Sequence, residues 1–158
     1  MQVYEIEDTK QFMQELLKQE RYDSFYLYEA RVKTKLDYYV SGKLNPQYLD
    51  TQEEADCAQE GQTHIEWKDI KSTVFSFMDE DRMPISFKII LMFHKENVMR
   101  LLEMNHVAIA AADVRALFLN IVYEQGKLHV TTGTSLDIFT MDKTLEHLWD
   151  ETVQKYYI

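Results

Sequence analysis

Apolar and polar residues alternate along several stretches of the chain, and the longest alternation runs from residue 26 to residue 40. One side of this stretch is apolar or aromatic, whereas the other side carries mostly charged residues. Such a pattern predicts a half-buried β-strand. At about 3.3 Å per residue, one straight strand of this length would span about 50 Å, which is too long for a small domain. The strand is therefore predicted to bend or fold back near Thr34.

Shorter alternating stretches occupy residues 85–93, 117–123 and 128–132, and residues 74–78 are predicted to form one more strand. Gln125 and Gly126 separate two of these stretches by two residues. A glycine at that position favours a two-residue β-hairpin turn. The last strands of the chain are therefore predicted to pair antiparallel.

Helical periodicity appears in three segments, each with apolar residues three and four positions apart on one face. The first follows Asp8, which lies three residues before Gln11 in capping-box spacing, and the last follows Asp142, a candidate N-cap. The apolar residues of the three segments are Phe12, Met13, Leu16 and Leu17; Val98, Leu101 and Leu102; and Leu145, Leu148, Trp149, Val153 and Tyr156.

These elements predict one α+β domain over residues 1–158, with a mostly antiparallel sheet of six to eight strands and three helices. The order strand, helix, strand, strand describes both residues 2–41 and residues 84–133. A duplicated unit would explain this recurrence, although any helix that follows a strand produces a similar pattern. Residues 50–66 show no periodicity and are predicted to form an acidic surface loop.

Composition narrows the class of protein. Apolar residues make up 46% of the chain and aromatic residues 13%, which is typical of a folded globular protein. The single cysteine excludes an internal disulfide and favours a reducing compartment, so a cytoplasmic protein is expected. No apolar stretch approaches the length of a membrane-spanning helix. The net charge of −10 disfavours nucleic acid and anionic membrane as partners.

Two segments carry a resemblance to a known family, namely PISFKIIL at residues 84–91 and LFLNIVYEQGKLHVTTGTSLDIFTMDKTLEHLWDETVQKY at residues 117–156. Here the chain resembles an uncharacterised family of Firmicute bacteria, known as a domain of unknown function. The resemblance implies a small bacterial cytoplasmic protein and transfers no catalytic residue. In addition, DVRALFLNIVYEQGKLHV at residues 113–130 is similar to a hairpin of sliding-clamp domains, which are built from paired strand-helix-strand-strand units.

Residues 131–135, TTGTS, place four hydroxyl groups around Gly133. A phosphate-binding loop needs converging backbone N–H groups at a helix N-terminus and usually several glycines, which this segment lacks. A bulge or bend at a strand end is the preferred interpretation. The alternative is a hydrolase or transferase site at 131–137, assembled from His129, Thr134, Ser135 and Asp137.

Two further groups have a chemical and a structural interpretation. His147 and Glu151 share one helix face and, with His129, could begin a metal site, but a solvated surface explains them equally well. Cys57 lies among acids, which should raise its pKa and reduce its reactivity, and this favours an ordinary surface thiol. No catalytic residue, cofactor or metal ligand is therefore assigned.

A basic strand face and an acidic segment remain as candidate partner-binding surfaces. Basic residues next to an aromatic can contact a nucleic acid strand, but flanking acids favour ion pairing within the sheet instead. Residues 44–82 hold ten acids and three bases. We therefore expect a non-enzymatic interaction or adaptor protein with a protein partner and no nucleic acid partner; a clamp-like nucleic-acid accessory protein is the alternative, and the oligomeric state stays open. The candidate partner-binding residues are Arg31, Lys33, Lys35, Tyr39, Glu53, Glu54 and Asp56.

Overall fold

A computed structural model describes all residues from 1 to 158 and shows an α+β fold with one six-stranded antiparallel sheet. The strands lie in the order β1-β6-β5-β4-β2-β3. They are β1 Val3–Ile6, β2 Phe25–Lys33, β3 Asp37–Ser41, β4 Ser86–Phe93, β5 Val114–Glu124 and β6 Lys127–Leu136. The helices are α1 Thr9–Leu17, α2 Thr51–Glu60, α3 Trp67–Ser76, α4 Lys95–Met104 and α5 Thr144–Tyr156. Short 3₁₀ turns occur at Pro46–Tyr48 and Ala111–Asp113.

One face of the sheet forms the main hydrophobic core. Because side chains alternate along a strand, the buried residues of β4 and β5 point to the same face as their cross-strand partners, such as Ile89 opposite Ile121. Trp67 of α3 is completely buried and donates from Nε1 to the carbonyl of Leu16 at 3.0 Å, which joins α3 to α1. Trp149 of α5 donates in the same way to Phe118 in the sheet at 2.9 Å.

The long alternating stretch folds back at the predicted place. Strand β2 ends at Lys33, the chain turns through residues 34–36, and β3 begins at Asp37 in register with Lys33. The hairpin at Gln125 and Gly126 is also confirmed, and both residues have positive φ values of 51° and 75°. Two consecutive positive φ values match the twist of antiparallel strands, as in a type I′ turn.

Three helices agree with the sequence pattern. Helix α1 is capped by Asp8, whose carboxylate accepts from Gln11 N at 3.0 Å. Helix α5 begins one residue later than predicted, with Lys143 as N-cap, while Asp142 accepts from Thr144 N at 2.9 Å. The protein has five helices and not the predicted three, whereas its six strands lie within the predicted range.

The two additional helices correct two predictions. Residues 74–78, predicted as a strand, form the end of α3 and the turn after it, and Val74 packs in the core from the helix. The predicted loop at 50–66 contains helix α2, which buries none of its residues and therefore leaves no apolar periodicity in the sequence. The segment is acidic and its helical part is exposed as predicted, but most of residues 61–66 are half-buried.

The order strand, helix, strand, strand does recur, but the strands of the two units pair differently in the sheet. Strands β4, β5 and β6 are neighbours, whereas β1 lies at one edge beside β6 and β2 pairs with β4 near the other edge. Three strands thus separate β1 from β2, while the equivalent β4 and β5 pair directly. The duplication is therefore limited to element order, and sheet pairing lends no support to a clamp-like arrangement.

Residues 63–66 are inserted beside the sheet between β2 and the residues that follow β3. Leu27 N donates to the carbonyl of Ile65 at 2.8 Å, and Ile65 N donates to the carbonyl of Gly42 at 2.8 Å. A Cβ atom at Gly42 would lie 1.8 Å from the carbonyl oxygen of Leu27, so only glycine allows this approach. The insertion fixes the segment that follows α2 to the body of the protein.

None of the five helices is both long enough and apolar enough to cross a membrane.

Candidate functional site

Helix α2 presents an uncompensated acidic surface. No side chain of the helix is buried, and no Lys or Arg occurs between residues 44 and 67. None of the acids of the helix or its cap forms an ion pair, although ion pairs occur elsewhere in the protein, for example between Arg100 and Glu96. The acids of this surface are Asp50, Glu53, Glu54, Asp56 and Glu60.

The ends of α2 hold the helix in place, since its sides contribute no buried contact. At the N-terminus, Asp50 accepts from Glu53 N at 2.8 Å and Glu53 accepts from Asp50 N at 3.1 Å, which is a complete capping box. The hydrogen bond from the Glu53 backbone lowers the pKa of Asp50, so the cap stays ionised. At the C-terminus, Gly61 adopts the left-handed conformation with φ 66°.

Cys57 is half-buried on α2, and its Sγ lies 3.9 Å from Gln62 Oε1. Burial raises the pKa of the thiol, and the charges of Glu60 and Asp56 raise it further. The predicted upward shift is thus confirmed, with burial as the larger cause. A thiol with a raised pKa has little thiolate at neutral pH and is a poor nucleophile.

A cleft of about 200 Å³ opens at the C-terminal end of α2. Thirteen residues line it, nine of them hydrophobic. Its walls come from the end of β4, the first turns of α4, the start of β5 and the residues just after α2. The lining residues are Tyr26, Gly61, Thr63, Met92, Phe93, Lys95, Val98, Met99, Ala111, Ala112, Val114, Arg115 and Ala116.

Tyr26, which lines this cleft, lies against a hydrogen-bonded pair formed by His94 and Glu66. His94 Nε2 donates to Glu66 Oε2 at 2.6 Å, and the ring of His94 lies 4.4 Å from that of Tyr26. Tyr26 is only 7% exposed. Burial, followed by the charges of Glu66 and Glu60, raises the pKa of Tyr26 to about 12, so its hydroxyl is neutral at physiological pH.

His64 lies on the inserted segment and stacks on Tyr28 with ring centroids 5.4 Å apart. Burial lowers the pKa of His64, and the charge of Lys43 lowers it further. The folded protein therefore favours the neutral imidazole.

One of the three basic candidate residues, Arg31, is paired with a neighbouring acid. Arg31 lies 3.5 Å from Glu29, and its guanidinium is 4.4 Å from the centroid of the Tyr39 ring. Lys33 stands opposite Asp37 in the β2–β3 register. Lys35 lies in the turn after β2 and does not extend the basic strand face, which is a correction of the predicted row of three. This arrangement matches the ion-pairing interpretation for Arg31, whereas Lys33 and Lys35 form no ion pair.

The TTGTS segment is regular strand. Residues 131–135 all belong to β6, and Gly133 stands opposite Phe118 without a positive φ. The register irregularity lies between Val114 and Ala116 on the neighbouring strand, so the prediction of a bulge at Gly133 is wrong. The segment forms neither a phosphate loop nor a bend.

The structure does not bring the residues of the alternative enzyme site together. His129 and Ser135 share one face of β6 but are six residues apart, about 20 Å along a strand. Thr134 points to the opposite face because side chains alternate. Asp137 is engaged with Arg115, whose Nε donates to Asp137 Oδ1 at 2.8 Å.

His147 and Glu151 lie on α5 as predicted, one turn apart. No group of three or more His, Cys, Asp or Glu side chains in the protein is arranged to hold a metal ion.

The fold and the site define an α+β protein whose exposed acidic helix ends beside a small apolar cleft. Residues 15–158 match the model of a family of unknown function, DUF5721, so the chain belongs to that family. No curated protein and no solved structure shows significant similarity to the chain.

Proposed function

We propose that the protein is a non-enzymatic interaction or adaptor protein that binds a basic protein partner through helix α2. The observation that carries the proposal is that α2 and its N-cap expose five carboxylates, that none of these forms an ion pair, and that α2 buries none of its side chains. Such a helix contributes little to the core, and opposite charge on a partner steers association and selects the partner.

Repulsion within α2 gives a physical reason for a basic partner. Within α2, Asp56 and Glu60 are four residues apart. Like charges at this spacing face each other on a helix and destabilise it. Lysine or arginine side chains of a partner would relieve this repulsion, so binding and helix stability should rise together.

The proposal places the protein in a reducing cytoplasm of a bacterial cell. Cys57 is the only cysteine and is free, so no disulfide contributes to the fold. The basic hairpin around Arg31 is a weaker candidate surface because Arg31 is paired with Glu29 and Lys33 stands opposite Asp37.

The test compares three forms of the protein as affinity baits in nuclease-treated lysate of the source cell, with bound proteins quantified by mass spectrometry. The α2 variant combines Glu53→Gln, Glu54→Gln and Asp56→Asn. A glutamine at 53 preserves the capping-box geometry. The control combines Glu7→Gln, Glu20→Gln and Glu151→Gln, three exposed acids outside α2 that form no ion pair.

A protein recovered with the wild type and with the control, but lost with the α2 variant, is the expected result. Circular dichroism should show that all three forms keep the same helix content. If every recovered protein binds the α2 variant as well as it binds the wild type, the proposed function is wrong.

A further inference from the structure

We propose that the cleft at the end of α2 receives one apolar side chain from a basic peptide segment of the partner, so that helix and cleft form a single docking surface. This inference rests on the proposed function and adds the chemistry of the bound segment. Gly61, the C-cap of α2, lines the cleft, so a chain lying along the helix would reach the opening directly.

The size of the cleft fits one side chain. Its volume is about 200 Å³, whereas an apolar cavity of about 150 Å³ holds a benzene molecule. Leucine, methionine and phenylalanine side chains are of this size. Sites for drug-sized ligands and cofactors are larger, about 300–1,000 Å³.

The lining suits an aliphatic or aromatic anchor. Met92 and Met99 form part of the wall, and methionine adapts its shape to different apolar partners. A second recess of about 320 Å³ shares Met99 and Ala111 with the cleft and continues along α4. A peptide could therefore extend beyond the anchor position on an apolar surface.

The charge around the opening selects a basic segment over an anionic ligand. Glu66 is hydrogen-bonded to His94, and Arg115 is paired with Asp137. Lys95 is the exception, and its side chain lies against Gly61, with Cδ 3.3 Å from the Cβ position there. A cation at this place is matched by the negative end of the α2 dipole. The five carboxylates of α2 and its N-cap, with no Lys or Arg among them, favour a cationic segment along the helix.

The hydroxyl of Tyr26 provides a polar contact at the inner wall. Tyr26 is more than nine-tenths buried and lines the cleft. No hydrogen-bond partner within the chain satisfies its hydroxyl, and the group is not sealed from solvent. A peptide N–H or C=O group of the bound segment can pair with it, which would fix the depth of the anchor.

The experiment is a titration of ¹⁵N-labelled full-length protein with short peptides, followed by NMR amide shifts. The probe peptides have the sequence Lys-Lys-Gly-X-Gly-Lys-Lys with X as leucine, phenylalanine or glycine, and a fourth peptide replaces every lysine of the leucine form by glutamate. Ala116→Leu fills the cleft. Ala112→Leu is the second filling variant, on a more exposed wall, in case the first disturbs β5. Ala108→Leu adds the same side chain outside the cleft and is the control.

The leucine and phenylalanine peptides should shift the amides of Gly61, Thr63 and Ala116 and bind at least fivefold more tightly than the glycine peptide. The filling variants should remove this advantage, while Ala108→Leu should keep it. Equal affinity for the leucine and glycine peptides, or binding of the glutamate peptide in the cleft, would overturn the inference. So would concentration-dependent shifts of the same amides without peptide, because a second copy of the chain would then occupy the cleft.

The two proposals fail in different ways. If α2 neutralisation abolishes capture of the cellular partner but the cleft shows no preference for an apolar anchor, only the further inference is wrong. If capture does not depend on α2, the proposed function is wrong whatever the peptides do.

Discussion

Gly42 is the position where the fold has the least tolerance for a side chain. A Cβ atom there would lie 1.8 Å from the carbonyl oxygen and 2.6 Å from the carbonyl carbon of Leu27. The clash is with backbone, so no side-chain rotation relieves it. In Gly42→Ala the chain must shift by more than an ångström at this point, where β3 leaves β2 and the inserted segment begins to pair.

The expected cost follows from the contacts that such a shift breaks. Gly42 N donates to the carbonyl of Tyr28 at 2.9 Å, and Ile65 N donates to the carbonyl of Gly42 at 2.8 Å. Losing two hydrogen bonds costs about 2 kcal/mol, and strain from overpacking adds about 1–3 kcal/mol. Gly42→Ala should therefore lower the free energy of unfolding by about 3–5 kcal/mol, a large part of the 5–15 kcal/mol typical of a domain.

Urea denaturation followed by tryptophan fluorescence measures this change, because both Trp67 and Trp149 are buried. With a slope of about 2 kcal/mol per molar urea, the midpoint should fall by about 2 M. Gly133→Ala is the matched control, since a Cβ there meets Asn120 and Phe118 at an ordinary 3.6 Å. That variant should stay within about 1 kcal/mol of the wild type. A Gly42→Ala protein as stable as the control would refute the steric argument.

Two further predictions concern the residues around α2. Replacing Asp50 by alanine removes the capping box of α2. The ¹³Cα chemical shifts should then show fraying of α2, while those of the sheet stay unchanged. An intact helix would mean that the capping box does not stabilise α2. Burial and the charge of Lys43 lower the pKa of His64 in the folded protein. In the unfolded chain, His64 takes up a proton near the ordinary pKa of about 6.5. The folded protein should therefore lose stability as the pH falls below this value. Between about pH 7.5 and pH 5, the melting temperature of the His64→Gln variant should therefore fall by less than that of the wild type. An equal fall in the two proteins would contradict the lowered pKa.

Sequence periodicity predicted those elements that bury one face. Helix α1 buries Phe12, Leu16 and Leu17, and β5 alternates between the core and the opposite face of the sheet, so both leave a clear pattern. Helix α3 buries only Trp67 and Val74, and its Val-Phe pair also suits a strand, which explains the wrong assignment at 74–78. The local sequence pattern therefore predicts a helix or strand only when one buried face makes the apolar residues recur at regular spacing.

The candidate site was predictable in part. The acidity of residues 50–66 is visible in the sequence, and so is the raised pKa of a thiol among acids. The cleft is not visible, because Tyr26, Met92 and Ala116 come from three different strands and meet only through the sheet register. The contact of His94 with Glu66 also joins residues 28 positions apart in the sequence. Neither residue belongs to a motif that would have marked it.

The architecture separates the proposed binding surface on α2 from the contacts that stabilise the fold. Helix α2 is joined to the body through its C-terminal segment, where Leu27 and Gly42 hold Ile65 by backbone hydrogen bonds. Its ten residues contribute no buried side chain, so charge can change on this surface without removing core contacts. Packing therefore places no constraint on the composition of this surface. Its five like charges repel one another, so a partner that supplies the opposite charge would stabilise it most. In the proposed complex, the anchoring segment would keep α2 at a constant position relative to the cleft.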